Sequence, residues 1–153
     1  MHSRIFQISE EPIEEENYAL ESDYYGNFIG HIADYVNEQE DDERKDDIEW
    51  LAKSLEGAAK IRGNKMTILS KEKFFEKKYE GFIKTAKKVA MMTFDDFITS
   101  VGEEDLYVLN SYHSNKYGFY VDEDGYPLTL DDFFRNVKDG DTYYIGATFD
   151  YHY

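Results

Sequence analysis

The chain has 153 residues, no cysteine and a formal net charge of −16. This length suits one domain, read here as spanning 1–153, and buries enough surface to fold without a disulfide or a structural metal. The missing cysteine excludes a disulfide framework and a thiol nucleophile, and the charge makes nucleic acid and anionic lipid unfavoured partners over most of the surface.

No apolar run approaches the 18 residues of a membrane span, and the first residues lack the apolar stretch of a signal peptide. With no cysteine to protect, a cytoplasmic location is expected. The 14 Tyr and 11 Phe must supply much of the core, with tyrosine hydroxyls at its rim.

Arg4 to Ser9 reads as a short strand that joins the sheet at an edge. An acidic connector containing Pro12 follows. Phe28, Ile29, Ile32, Tyr35 and Val36 recur at three and four, which predicts an amphipathic helix over 24–38 capped from Ser22. Residues 38–47 are almost wholly charged. Ile48, Leu51, Leu55 and Ala59 then line a second helix over 46–62, ended by Gly63-Asn64. Met66 to Leu69 reads as a strand. A third helix over 71–90, capped by Ser70, carries Phe74, Phe75, Tyr79, Phe82, Ile83, Ala86 and Val89 at helical spacing, with lysines largely opposite.

Leu106 to Leu109 and Tyr117 to Val121 read as strands. Asp124-Gly125 is a hairpin signal, and Tyr126 to Thr129 is the return strand. From Asp141 to Tyr153, Tyr143, Ile145, Ala147, Phe149 and Tyr151 alternate with Tyr144, Gly146, Thr148, Asp150 and His152, the pattern of a half-buried central strand. The expected fold is α+β: about three helices packed on a C-terminal antiparallel sheet, in a single pair of layers. Phe28, Ile32, Leu51, Leu55, Phe82, Ile145 and Phe149 are the expected core.

Charge is segregated along the chain. Residues 10–49 hold 16 acids against Arg44 and Lys45, a net of −14; residues 60–90 are +7 and residues 91–153 are −10. Thr93-Phe-Asp-Asp-Phe echoes Thr129-Leu-Asp-Asp-Phe, and each reads as a threonine-capped helix start with two Asp at its positive end.

Sites for chemistry are scarce. There is no glycine-rich phosphate loop, no His-Glu-x-x-His and no Gly-x-Ser-x-Gly. Asp122-x-Asp124-Gly125 resembles part of a calcium loop, but Tyr120 and Asp131 occupy its first and last ligand positions, so a hairpin turn is the better reading. No metal or cofactor is expected. Asp150 and His152, two apart on one strand face, are the best acid–imidazole pair, and His113 is the other histidine of interest. A small enzyme with a dispersed site near the C-terminal sheet is the alternative reading.

The leading reading is a non-catalytic acidic interaction or regulatory module that binds a basic protein surface, with nucleic-acid mimicry as its extreme form. Asp41, Asp42, Glu43, Asp46 and Asp47 are the candidate interaction residues.

Overall fold

A computed structural model describes residues 1–112 and 116–153. They form a mixed α+β structure, with five α-helices, two short 3-10 turns and a seven-stranded sheet. Among the described residues no helix is long and apolar enough to cross a membrane. The chain divides into two compact units, residues 1–71 with 116–153, and residues 72–115.

The first unit holds the whole sheet. Its strands are β1 (His2–Ser9), β2 (Tyr35–Glu38), β3 (Ala59–Arg62), β4 (Lys65–Ile68), β5 (Tyr120–Glu123), β6 (Tyr126–Thr129) and β7 (Thr142–His152). They run in the order β3-β4-β7-β1-β5-β6, with β2 also paired to β7. The sheet therefore draws on the whole chain, not on the last 50 residues alone. It is also mixed, because β1 pairs parallel with β5 while every other pairing is antiparallel.

β7 is central, as its alternation predicts. Gly146 and Thr148 are buried along with Ile145, Ala147 and Phe149, so the middle of the strand is covered on both faces rather than one. On one face lie Tyr24, Phe28, Ala33 and Val36 over Ile5, Tyr120, Phe149 and Tyr151. The rings meet edge to face, Tyr24 on Phe149 at 4.9 Å and Phe28 on Tyr120 at 4.9 Å, a geometry that adds to their area burial. On the other, helix α1 (Asp41–Ser54) buries Ile48 and Leu51 and places Asp47 against Thr148.

The described helices outnumber the three expected, because Phe94–Ile98, Glu103–Ser111 and Leu130–Asn136 are short helices without a long amphipathic repeat; in the first unit three expected elements differ. The helix over 24–38 is instead a 3-10 turn at Glu21–Tyr24, a string of turns, and strand β2. Gly26 and Gly30 sit at φ +83° and +89°, a conformation no helix interior accepts. The apolar spacing is real, since Phe28 and Val36 are buried, but turns deliver it. The second helix begins earlier, at Asp41, and stops at Ser54; Gly57 at φ +85° reverses the chain so that Ala59–Arg62 becomes β3. β1 lies inside the sheet between β7 and β5, not at its edge. At the other hairpin, Asp124 and Gly125 take φ 55° and 82°, as a tight two-residue turn between β5 and β6 demands. Helix α5 (Leu130–Asn136) follows, capped by Thr129 Oγ1 accepting from the Asp132 amide.

The second unit is helical. Helix α2 spans Lys71–Ala90, as the spacing predicts; α3 is Phe94–Ile98 and α4 is Glu103–Ser111. Leu106 to Leu109 is thus helical, not a strand. Glu103, Glu104 and Asp105 in its first turn favour a helix N-terminus, and that local signal outweighs four β-prone residues. Thr93 caps α3 by accepting from the Asp96 amide at 3.1 Å, and Asp96 Oδ2 accepts from the Thr93 amide at 3.0 Å. Gly81 on α2 leaves room for the Tyr112 hydroxyl.

Candidate functional site

Two segments far apart in sequence meet beside the middle of β7. One is the connector around Glu15, Glu16, Tyr18 and Leu20; the other runs from Glu38 to Lys45, the end of β2 and the first turn of α1. Between them is an open cleft of about 1200 Å³, with Ala147 also lining it. Seven carboxylates line this cleft, from Glu15, Glu16, Glu38, Glu40, Asp41, Asp42 and Glu43, against Arg44 and Lys45.

The connector is held by Gln7. Its Oε1 accepts from the amides of Ala19 at 2.9 Å and Ala147 at 3.0 Å, and its Nε2 donates to the Asn17 carbonyl at 3.1 Å. Gly146 makes this possible, because a Cβ there would collide with Gln7 Oε1 and come within 3.0 Å of Ile13 Cδ1.

The other wall is tied down by Arg44. Its guanidinium donates to the carbonyls of Gly146 at 2.6 Å and Ile145 at 2.9 Å and to Asn64 Oδ1 at 3.0 Å, and lies over the Tyr18 ring at 5.4 Å. Its charge is thus turned into the sheet rather than spent on the cleft acids. Asp42 is 3.6 Å from Lys45, and Glu43 Oε2 accepts from the Glu40 amide at 3.2 Å. Among the described residues, Glu15, Glu16, Glu38 and Asp41 form no ion pair. With seven acids against two bases, the cleft presents exposed net negative charge.

The structure separates the five acids singled out from the sequence. Asp41, Asp42 and Glu43 line the cleft. Asp46 is exposed but outside it. Asp47 is buried and points inward, accepting from Arg4 Nε at 2.6 Å and from the Thr148 hydroxyl at 3.0 Å. Burial pushes its carboxyl above the usual range, and the Arg4 guanidinium pulls it part of the way back. Asp47 thus belongs to the interior. Its spacing of four and eight residues from Leu51 and Leu55, which puts it on their helix face, is the signal that could have marked it.

Asp150 and His152 share a face, as alternation requires, yet they do not bond to each other. Asp150 accepts from His2 Nδ1 at 2.8 Å and from Arg4; His152 Nδ1 lies 3.2 Å from Asp34, and its Nε2 lies 3.2 Å from the N-terminal amine. The Tyr35 ring stacks on His152 at 5.3 Å. This cluster ties the first residues to the last strand. His113 lies outside the described residues. Among the described residues no three His, Asp or Glu side chains gather as a metal site.

A second buried acid escaped the sequence reading. Asp122 is 2% exposed and accepts from the Tyr24 hydroxyl at 2.7 Å, while its other oxygen makes no hydrogen bond. Burial raises its pKa, offset in part by Tyr24 and the nearby turn amides of Gly125 and Tyr126; burial and the Asp122 charge likewise push the Tyr24 hydroxyl far up. The pair is a polar pin inside an aromatic core.

No protein-family model matches the chain, nor does any curated protein or solved structure.

Proposed function

We propose that the protein is an acidic interaction module whose cleft receives a basic segment of another protein. The observation that carries the reading is the convergence of seven carboxylates from two distant segments on one open cleft, with its single arginine directed elsewhere. Like charges held together on a folded surface repel and cost stability, and a cationic partner relieves that cost. The cleft is open and polar, so recognition rests on lysine or arginine side chains laid along it, not on an apolar anchor. Nucleic-acid mimicry is the extreme form of the same chemistry.

The test begins with a partner captured from the native host on immobilised protein, alongside an array of basic peptides. Association rates are then measured for the wild type and for a variant reversed to Lys at Glu15, Glu16, Asp41 and Asp42, at two salt concentrations. Steering of this kind changes association by about 10–1000-fold, so the variant should associate at least tenfold more slowly at low salt. Dissociation should change far less. Equal association rates, insensitive to salt, would reduce the cleft to a solvated surface.

A further inference from the structure

The helical unit, residues 72–115, poses a different problem from the acidic cleft, and its solution does not depend on that reading. Thr85 is the one buried side chain of α2, and α3 and α4 have none among the described residues. Eight large apolar side chains between Tyr79 and Tyr107 are 46–81% exposed, half of all such exposed side chains described in the chain. Exposed apolar surface marks an interaction site where it is contiguous, as it is along the groove of Tyr79, Ile83 and Met91 and along α3. Taking roughly 150 Å² for each large side chain, the five of these on the α2 groove and on α3 (Tyr79, Met91, Phe94, Phe97 and Ile98) leave on the order of 500 Å² uncovered on each copy, the size of a weak, reversible interface.

The charges indicate what covers it. α2 carries seven lysines against three glutamates, a net of +4. Residues 91–111, which hold α3 and α4, carry five acids and no base, a net of −5. Residues 72–115 together are −2, six lysines against eight acids, whereas the rest of the chain is −14. The nearly neutral unit is therefore the part of the molecule that a second copy can approach without strong repulsion. Its two halves are complementary in sign; within one copy Lys88 already lies 3.7 Å from Asp105, which leaves Lys84, Lys87 and Asp95 for contacts to a second.

The shapes agree with this. Tyr79 and Ile83 on α2, with Met91 just past its end, line an apolar groove of about 460 Å³ whose rim carries Lys84, Lys87 and Lys88 against Glu80. α3 presents Phe94, Phe97 and Ile98 outward, 60–76% exposed, beside Asp95. A self-complementary interface needs a patch whose element i meets element j on the partner while j meets i. A basic apolar groove and an acidic apolar ridge on one unit satisfy that requirement.

We propose that the protein forms a two-fold symmetric homodimer through residues 72–115, with α3 of each copy seated in the α2 groove of the other. The apolar side chains supply the stability. The Asp95 and lysine contacts, with Glu104 of the acidic α4 adding to the same charge, set the register and disfavour a parallel face-to-face arrangement of the two basic helices.

The test is the solution mass of the full chain by light scattering and sedimentation at about 50 µM, above the micromolar Kd at the weak end for an interface of this size. The wild type should have twice the 18.0 kDa mass of one chain. Phe94→Glu/Phe97→Glu should be monomeric with an unchanged circular dichroism spectrum, since both rings are exposed. Two further variants, Lys84→Glu/Lys87→Glu and Asp95→Lys/Glu104→Lys, should each weaken self-association at least tenfold. Mixed together they should pair, because each groove then faces a ridge of opposite sign. A monomeric wild type, or dimerisation untouched by the Phe variant, would overturn the proposal. So would charge variants that fail to rescue one another.

Discussion

Gly146→Ala probes the link between sequence and cleft most directly. The new methyl group would collide with Gln7 Oε1 and crowd Ile13. Gly146 sits in a buried strand and its φ is not positive, so backbone conformation does not oppose the substitution; replacing a strand glycine with alanine by itself favours folding by about 0.5–1 kcal/mol. Against that, Gln7 must swing away from the amides of Ala19 and Ala147 and from the Asn17 carbonyl. Three hydrogen bonds at about 1 kcal/mol each, with the buried Ala147 amide left unpaired, make a loss of roughly 3 kcal/mol. The net expectation is a destabilisation of about 2 kcal/mol by urea unfolding, with faster hydrogen exchange at Ala19. Gln7→Ala, without the glycine gain, should cost roughly 3 kcal/mol. The double variant should cost about 2 kcal/mol, because the same contacts are lost only once, giving a coupling of about 3 kcal/mol in the cycle. Additive losses, or a Gly146→Ala change below about 0.5 kcal/mol, would show that Gln7 does not hold the connector.

Leu51, fully buried, should lose roughly 2–5 kcal/mol on truncation to Ala, whereas half-buried Phe82, edge to face with Tyr112, should lose less; urea midpoints decide the order. For Asp122 the sign follows from a folded-state pKa above the unfolded one. Its contribution is most favourable below about pH 4, near the unfolded value, and declines as pH rises through the folded value. Asp122→Asn, which keeps an acceptor for Tyr24, should therefore gain stability relative to the wild type between pH 4 and pH 7, and a difference independent of pH would refute the burial argument.

Much of the fold was legible where a local signal and tertiary packing agree. β7 has a strict alternation, α2 a long amphipathic repeat, and the β5–β6 hairpin an Asp-Gly turn. Thr93 and Thr129 cap their helices through the chemistry their echo suggested. Reading failed where glycine decides. Phe28, Ile32 and Val36 carry a helical spacing, but Gly26 and Gly30 at positive φ turn the chain between them, and Ile32 is left only half-buried. The parallel pairing of β1 with β5 and the insertion of β1 beside β7 are long-range choices with no local trace. The cleft was half legible: the acids of α1 stand out in the sequence, but nothing near Glu15 or Glu16 indicates that Gln7 will bring them alongside.

The acids of this chain are not one population, and the structure sorts them by what balances their charge. Asp47 and Asp150 answer Arg4, and Asp122 answers Tyr24, so these belong to the architecture and their reversal would unfold it. Asp41, Asp42 and Glu43 occupy the first turn of α1, where the helix dipole offers each about 0.3–1 kcal/mol. Their presence is partly explained without any partner. Glu15 and Glu16 lie in a single three-residue 3-10 turn, and Glu38 at the end of a strand, where no comparable dipole exists. Those three gain nothing locally from facing four more carboxylates across an open cleft. The hypothesis of a basic partner therefore rests most heavily on Glu38 and on Glu15 and Glu16, the last two being residues that sequence inspection passes over as connector.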